Sequence, residues 1–221
     1  MITQAGASWQ QRQQSQPRQP PPAVQSWVFH SERQQAFDPH QPSGLLLLDR
    51  SKQLQLKSPG TTPSLLAAYI KVKAQESITT CFQGGLEFYF VICGEGRSEW
   101  GGGVIAWQPG DLFFLPGGSR IHHQAADSDA LVYALTDEPL ARFLGLQAGQ
   151  NKFEPIHYLA KDVQAAQAAA IEHTRKSGVM HFGRKQGQAE EFVYSSFLPT
   201  WKWIVPGEHQ RPHCHAAVAV Q

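Results

Sequence analysis

Between Ser64 and Leu135 short, β-prone apolar segments alternate with Gly- and Pro-rich turns, and this rhythm limits the possible folds more than any other feature. Leu65 to Lys73 ends in a period-two alternation, and Leu86 to Cys93 is dense in aromatic and β-branched residues. Val104 to Trp107, Leu112 to Leu115 and Ala130 to Leu135 follow. Gly94-Glu-Gly96, Gly101-Gly-Gly103, Pro109-Gly-Asp111 and Pro116-Gly-Gly118 are turn signals between them. Short strands at even spacing predict a mainly β fold, a closed antiparallel barrel or jelly roll over residues 64–137.

Other parts of the chain read differently. Residues 1–25 are rich in Gln, Pro and Ser and predict a disordered tail. Residues 26–63 are a lead-in, with Trp27, Val28 and Phe29 marking first contact with a folded body. Residues 138–188 predict a helical connector. Asp137 to Leu144 has an acidic first turn, and Asp162 to Lys176 is Ala-rich with Asp162 as cap and Gly178 as its end. Strand character returns in residues 189–221, at Phe192 to Phe197 and Trp201 to Val205, followed by a Pro206-Gly207 turn.

Composition excludes several function classes. A formal net charge of +1 gives no electrostatic reason to bind nucleic acid or an acidic membrane. No apolar run reaches the roughly 18 to 20 residues of a membrane span. The N-terminus lacks a basic start with an apolar core, and three cysteines at wide spacing do not form a disulfide framework, so a cytoplasmic protein is expected. Cys93, inside an apolar run, reads as a small buried hydrophobe.

The end of the chain carries the sharpest chemical signal. His213 and His215 stand at i and i+2, so on an extended segment both imidazoles project from one face and can reach one metal ion. A metal also needs a third and usually a fourth protein ligand, and no His, Asp, Glu or Cys follows His215. Half of a metal site is therefore expected here. Cys214 points away from its neighbours on a strand, and His209 is read as a solvated loop residue.

These segments resemble the cupin superfamily, whose motifs are Gly-x5-His-x-His-x3–4-Glu-x6-Gly and Gly-x5-Pro-x-Gly-x2-His-x3-Asn. Glu87-x6-Gly94 matches the end of the first and Gly110-x5-Pro116-x-Gly118 the start of the second. The histidine positions of the first motif hold Thr80 and Phe82, or Cys81 and Gln83 in the shorter spacing. The second-motif histidine position is Ile121, with His122 and His123 just beyond. Gly207-x5-His213-x-His215 matches the opening of the first motif again.

The whole is thus similar to a bicupin of the gentisate 1,2-dioxygenase type, apparently truncated in its second cupin. Thr136 to Leu140 resembles the linker between the two barrels in that family. The resemblance implies Fe(II) or another divalent transition metal at His213 and His215, and O2-dependent opening of an aromatic ring. Activity is expected to be impaired or absent if the third ligand is missing. This chain also departs from the family in having Cys214 where Arg is usual, and in placing its histidine pair in the second barrel instead of the first.

The first barrel offers pocket candidates of its own. Alternation sets Glu87, Tyr89 and Val91 on one strand face and Phe88 and Phe90 on the other. In the cupin resemblance the Glu87 face lines the interior. A buried carboxylate needs a partner, for which Arg120 and His122 are the candidates. His122 reaches the interior only if the backbone bulges. The alternative to an enzyme is a metal-free cupin that binds a small molecule or acts as a dimer scaffold. In either case a homodimer is expected, because strand edges of a partial barrel invite pairing.

Overall fold

The computed structural model describes residues 26–146, 154–186, 189–191, 196–210 and 220. In chain order the elements are α1 (His30–Phe37), β1 (Gly44–Leu47), α2 (Ser51–Leu54), β2 (Leu66–Val72), β3 (Ser77–Thr80), β4 (Leu86–Cys93), β5 (Gly96–Trp100), β6 (Gly103–Trp107), β7 (Leu112–Pro116), β8 (Ile121–Ala125) and β9 (Ala130–Thr136). They continue as α3 (Glu138–Phe143), β10 (Ile156–Tyr158), α4 (Ala160–Thr174), β11 (Gly178–His181), β12 (Arg184–Gln186), β13 (Ala189–Glu191) and β14 (Thr200–Trp203).

The fold is mainly β, as the turn-punctuated pattern predicts. One antiparallel sheet runs in the order β1-β2-β9-β4-β7-β10, and a second in the order β3-β8-β5-β6. Their facing sides share one core: Ile70, Val72, Tyr89, Val91, Phe113 and Val132 from the first sheet meet Ile121 and Trp107 from the second. This is a jelly roll, with each strand giving alternate residues to the interior.

Two glycines of the cupin motifs earn their places physically. Gly94 has φ 78°, and a Cβ there would sit 2.4 Å from the Asp129 carbonyl oxygen. Gly110 has φ 87° in the turn before β7. Only glycine enters that region without strain. Asp111, beside it, is buried and accepts hydrogen bonds from the Gln108 and Ala160 amides, and it pairs with His157 Nε2 at 3.0 Å. This carboxylate ties the barrel to β10 and α4.

The outer face of the larger sheet is also covered. Leu86, Phe88, Leu112 and Phe114 pack with Val163 of α4 and Phe182, and Met180 of β11 and Trp201 of β14 lie against them. Strands β11 and β14 form a separate two-stranded sheet, with Trp201 opposite Met180 and Trp203 opposite Gly178. The Pro206-Gly207 turn follows, closed by the Glu208 amide on the Val205 carbonyl.

Local readings needed correction. Cys93 is exposed: the β4–β9 register shifts between Val91 and Cys93, and Cys93 is the last residue of its strand. Helix α4 starts two residues before Asp162, which sits in its first turn instead of capping it. It ends at Arg175 in a left-handed conformation, φ 54°, and Gly178 begins β11. Strand β5 was hidden between its flanking glycines, because only Ser98 of its five residues is buried. The lead-in supplies α1 and the edge strand β1, which pairs antiparallel with β2. The predicted tail and Phe192 to Ser195 lie outside the described residues, and Ser196 and Phe197, the end of the expected strand, are not in a strand.

Candidate functional site

The interior positions that hold metal ligands in the cupin motifs are occupied here by Thr80, Phe82, Glu87 and Ile121, and all four are buried. Thr80 closes β3, Glu87 lies on β4 and Ile121 opens β8. The shorter alignment is not realised inside, since Cys81 and Gln83 are exposed and bonded to each other. Of the four interior side chains only Glu87 offers a good metal donor.

Of the candidates read from sequence, the structure brings Glu87 and Tyr89 together inside the barrel. Tyr89 donates its hydroxyl proton to Glu87 Oε2, and the ring of Tyr89 stacks on Phe113 with centroids 4.8 Å apart. His122 does not join them. It is exposed, with Nδ1 3.3 Å from Thr79 Oγ1 on the outer side. The pairing of β8 with β3 and β5 runs without a bulge, so the phase set by buried Ile121 and Ala125 turns His123 inward instead. Arg120, one residue ahead of β8, is exposed and is not a partner of Glu87.

His123 is therefore the interior histidine. Its Nδ1 lies 2.8 Å from Ser98 Oγ and its Nε2 3.0 Å from Thr80 Oγ1. Trp107 Nε1 donates to the same Ser98 oxygen at 2.8 Å. The His123 and Tyr89 rings lie 5.4 Å apart. Five strands, β3, β4, β5, β6 and β8, each contribute one or two side chains to this line of polar groups. Glu87 Oε1, at one end, has no hydrogen-bond partner among the described residues.

Burial governs the charge states. Removal from water pushes the Glu87 carboxyl up to about 8, against the opposing hydrogen bond from Tyr89 and with help from Glu138 and Asp137. The same desolvation, assisted by His122, pulls His123 down to about 3. Burial and the Glu87 carboxyl beside it push Tyr89 well above the usual phenol range. At neutral pH the line holds a protonated acid, a neutral imidazole and a neutral phenol.

Such a donor set does not fit a metal ion. Among the described residues no group of three or more His, Cys, Asp or Glu is arranged to hold one. Glu87 and His123 are two donors where a stable site needs at least three. The paired imidazoles His213 and His215, with Cys214, lie outside the described residues, and His209 is exposed.

Sequence reasoning missed Thr80, Ser98, Trp107 and His123 as a group. The available signal was the phase of β8, in which the apolar residues Ile121 and Ala125 flank His123 and not His122. The other three are too common in barrel cores to stand out alone.

No family model matches the chain. It is 35% identical over 100 residues to a 5-aminosalicylate 1,2-dioxygenase from Comamonas sp, covering 45% of this chain and 27% of that protein. It is 36% identical over 66 residues to a gentisate 1,2-dioxygenase from Haloferax sp, covering 30% and 18% respectively. The matched regions thus span about a quarter or less of those curated relatives. Among solved structures, a variant of salicylate 1,2-dioxygenase from Pseudoaminobacter salicylatoxidans superposes with a TM-score of 0.51 at 13% identity, over 73% of this chain and 62% of that one. The chain has a cupin-type jelly-roll fold and is similar over part of its length to gentisate 1,2-dioxygenase and its relatives.

Proposed function

We propose that this chain serves ring cleavage of a hydroxylated benzoate, with the barrel of residues 64–137 as a metal-free scaffold and the metal held through His213 and His215. One observation carries the reading: the interior ligand positions of the barrel hold Thr80, Phe82, Glu87 and Ile121, which leaves the imidazole pair as the donor set suited to Fe(II) or another divalent transition metal. The names of the relatives, which act on gentisate and 5-aminosalicylate, support the substrate class. A metal bound there would supply open coordination positions for substrate and O2. The described barrel would contribute position: its outer apolar face seats β11 and β14, the strands that lead through the Pro206-Gly207 turn towards the histidines.

Metal analysis of the full chain after Fe(II) loading and dialysis tests this reading, alongside His213→Ala, His215→Ala and Glu87→Gln. Retained iron that is lost in either histidine variant and kept in Glu87→Gln is the expected result. Iron that leaves with Glu87→Gln, or that wild type never holds, overturns it. The latter result would favour the second reading, a metal-free cupin that binds a small molecule or scaffolds a dimer, for which the buried polar line ending at Glu87 is the supporting observation.

A cytoplasmic homodimer completes the proposal. Cys81 and Cys93 are both free and exposed, which suits a reducing compartment. No helix among the described residues is long and apolar enough to cross a membrane. Among the described residues the four-stranded sheet ends at β3 and β6, and strand edges favour pairing with a second copy. Light scattering that returns a monomer mass removes the dimer from the proposal.

A further inference from the structure

Among the described residues the six-stranded sheet ends at β1 on one side and at β10 on the other. We propose that β1 is the edge on which a second copy of this chain docks, pairing antiparallel with its own counterpart across a twofold axis at Leu46. The proposal rests on the homodimer reading and deepens it by naming the edge and its register.

The backbone of β1 decides which of its groups are open. Gly44 stands opposite Lys71 and Leu46 opposite Tyr69, and the Leu48 amide donates to the Ala67 carbonyl at 2.9 Å. Direction alternates along an antiparallel strand, so the amides and carbonyls of Gly44 and Leu46 turn towards β2 as well. Those of Leu45 and Leu47 turn the other way, to the free edge. Helix α1 lies elsewhere. Lys71 Nζ donates to the Ala36 and Asp38 carbonyls, and the Phe37 ring meets the Tyr69 ring edge-on at 6.4 Å. Tyr69 and Lys71 project from the face opposite to Ile70 and Val72, which enter the core, so α1 covers the outer face of the sheet. Leu45 remains 39% exposed.

This pattern is complementary to itself. With Leu46 opposite its own copy, Leu45 meets the partner's Leu47 and Leu47 meets the partner's Leu45. Each of those pairs exchanges both backbone hydrogen bonds, which uses every outward group of the strand. Moving the axis to Leu45 or to Leu47 would bring in Ser43 or Asp49 instead. Both lie outside β1 and are tied down, Ser43 Oγ to Glu76 and the Asp49 carboxylate to the Ser51 and Gly60 amides. The side chains agree with the backbone. Gly44 to Leu48 holds no charge and no proline, the features that usually guard a free edge. The other edges differ: β10 is three residues long, β3 exposes Ser77 and Thr79, and β6 opens on Gly103. Pairing through β1 joins the six-stranded sheets of two copies into one and covers Leu45 with the partner's Leu47.

Cross-linking of the full chain tests the edge, with Leu46→Cys in a Cys81→Ser, Cys93→Ser, Cys214→Ser background. Non-hydrogen-bonded antiparallel pairs set their Cα atoms about 4.5 Å apart, within reach of a disulfide. Mild oxidation should convert most of this variant to a covalent dimer, whereas Val104→Cys, exposed on β6, should stay monomeric on a denaturing gel. Leu45→Lys, which presses an ammonium against the partner's Leu47, should halve the mass seen by light scattering while keeping the wild-type circular dichroism. A wild-type dimer that fails to cross-link at Leu46, that cross-links equally at Val104, or that keeps its mass in folded Leu45→Lys overturns the β1 edge and leaves the homodimer standing on another surface. A monomeric wild type overturns both.

Discussion

Strand β4 is buried on both sides, yet its two faces solve different physical problems. Outward, Leu86 and Phe88 pack against Leu112 and Phe114 under α4 and the β11–β14 pair. Inward, Glu87 and Tyr89 carry polar atoms into a space that water does not reach. The outer face needs only shape and area. The inner face must find a partner for each polar atom, and it does so for all but Glu87 Oε1. Packing defects should therefore cost the outer face more than polar edits cost it, while the inner face should respond to protonation.

The largest effect is expected on the outer side. Phe114 is fully buried, with its ring centroid 5.1 Å from that of Phe88 and 6.1 Å from that of Tyr158. Phe114→Ala should lower the unfolding free energy by about 3–5 kcal/mol, from lost transfer energy plus the cavity left behind. Urea denaturation measures it. A loss below about 1 kcal/mol would mean that this face is loosely packed and that the contrast with the interior is overstated.

An intermediate effect should come from the inner face through pH. For Glu87 the folded carboxyl titrates at about 8 against an ordinary 4.5. Across that window the native state keeps a proton that the unfolded chain has released, so stability is full below 4.5 and is lost as pH rises through 8. For His123 the folded value of about 3 against 6.5 reverses the sign: stability is present above 6.5 and is lost as pH falls through 3. Between 4.5 and 6.5 the two slopes cancel, which places a plateau there. From pH 6.5 to 8 the Glu87 contribution alone should remove about 2 kcal/mol. Denaturation midpoints across that range, compared with Glu87→Gln, isolate it. A wild-type profile that stays level to pH 8, or a Glu87→Gln profile that falls as steeply, would break the assignment of charge to this face.

The same contrast explains what could be read in advance. The two faces of β4 were legible because alternation over eight residues fixes which side chains travel together. Gly94 and Gly110 were legible because their backbone conformations exclude other residues. Strand β5 was not, since Gly96 to Trp100 is polar in sequence and buries only Ser98. The interior hydrogen-bond line was out of reach for a different reason. Its members come from five strands, and only the register of those strands brings Trp107, Ser98, His123, Thr80, Tyr89 and Glu87 into one path. The pair His213 and His215 is the converse, plain as a local pattern but outside the described residues.

The smallest expected effect separates two adjacent histidines. His122 and His123 differ by one position in β8, and therefore by the whole thickness of the sheet. His122→Ala removes an exposed ring and a 3.3 Å contact with Thr79, so the change in stability should stay within about 0.5 kcal/mol. His123→Ala leaves Ser98 and Thr80 without their imidazole partner in a dry interior and should cost several times more. Measured side by side, the pair reports the phase of the strand directly. Equal losses, or a larger loss for His122, would mean that β8 carries a bulge and that the interior site is built around the other ring.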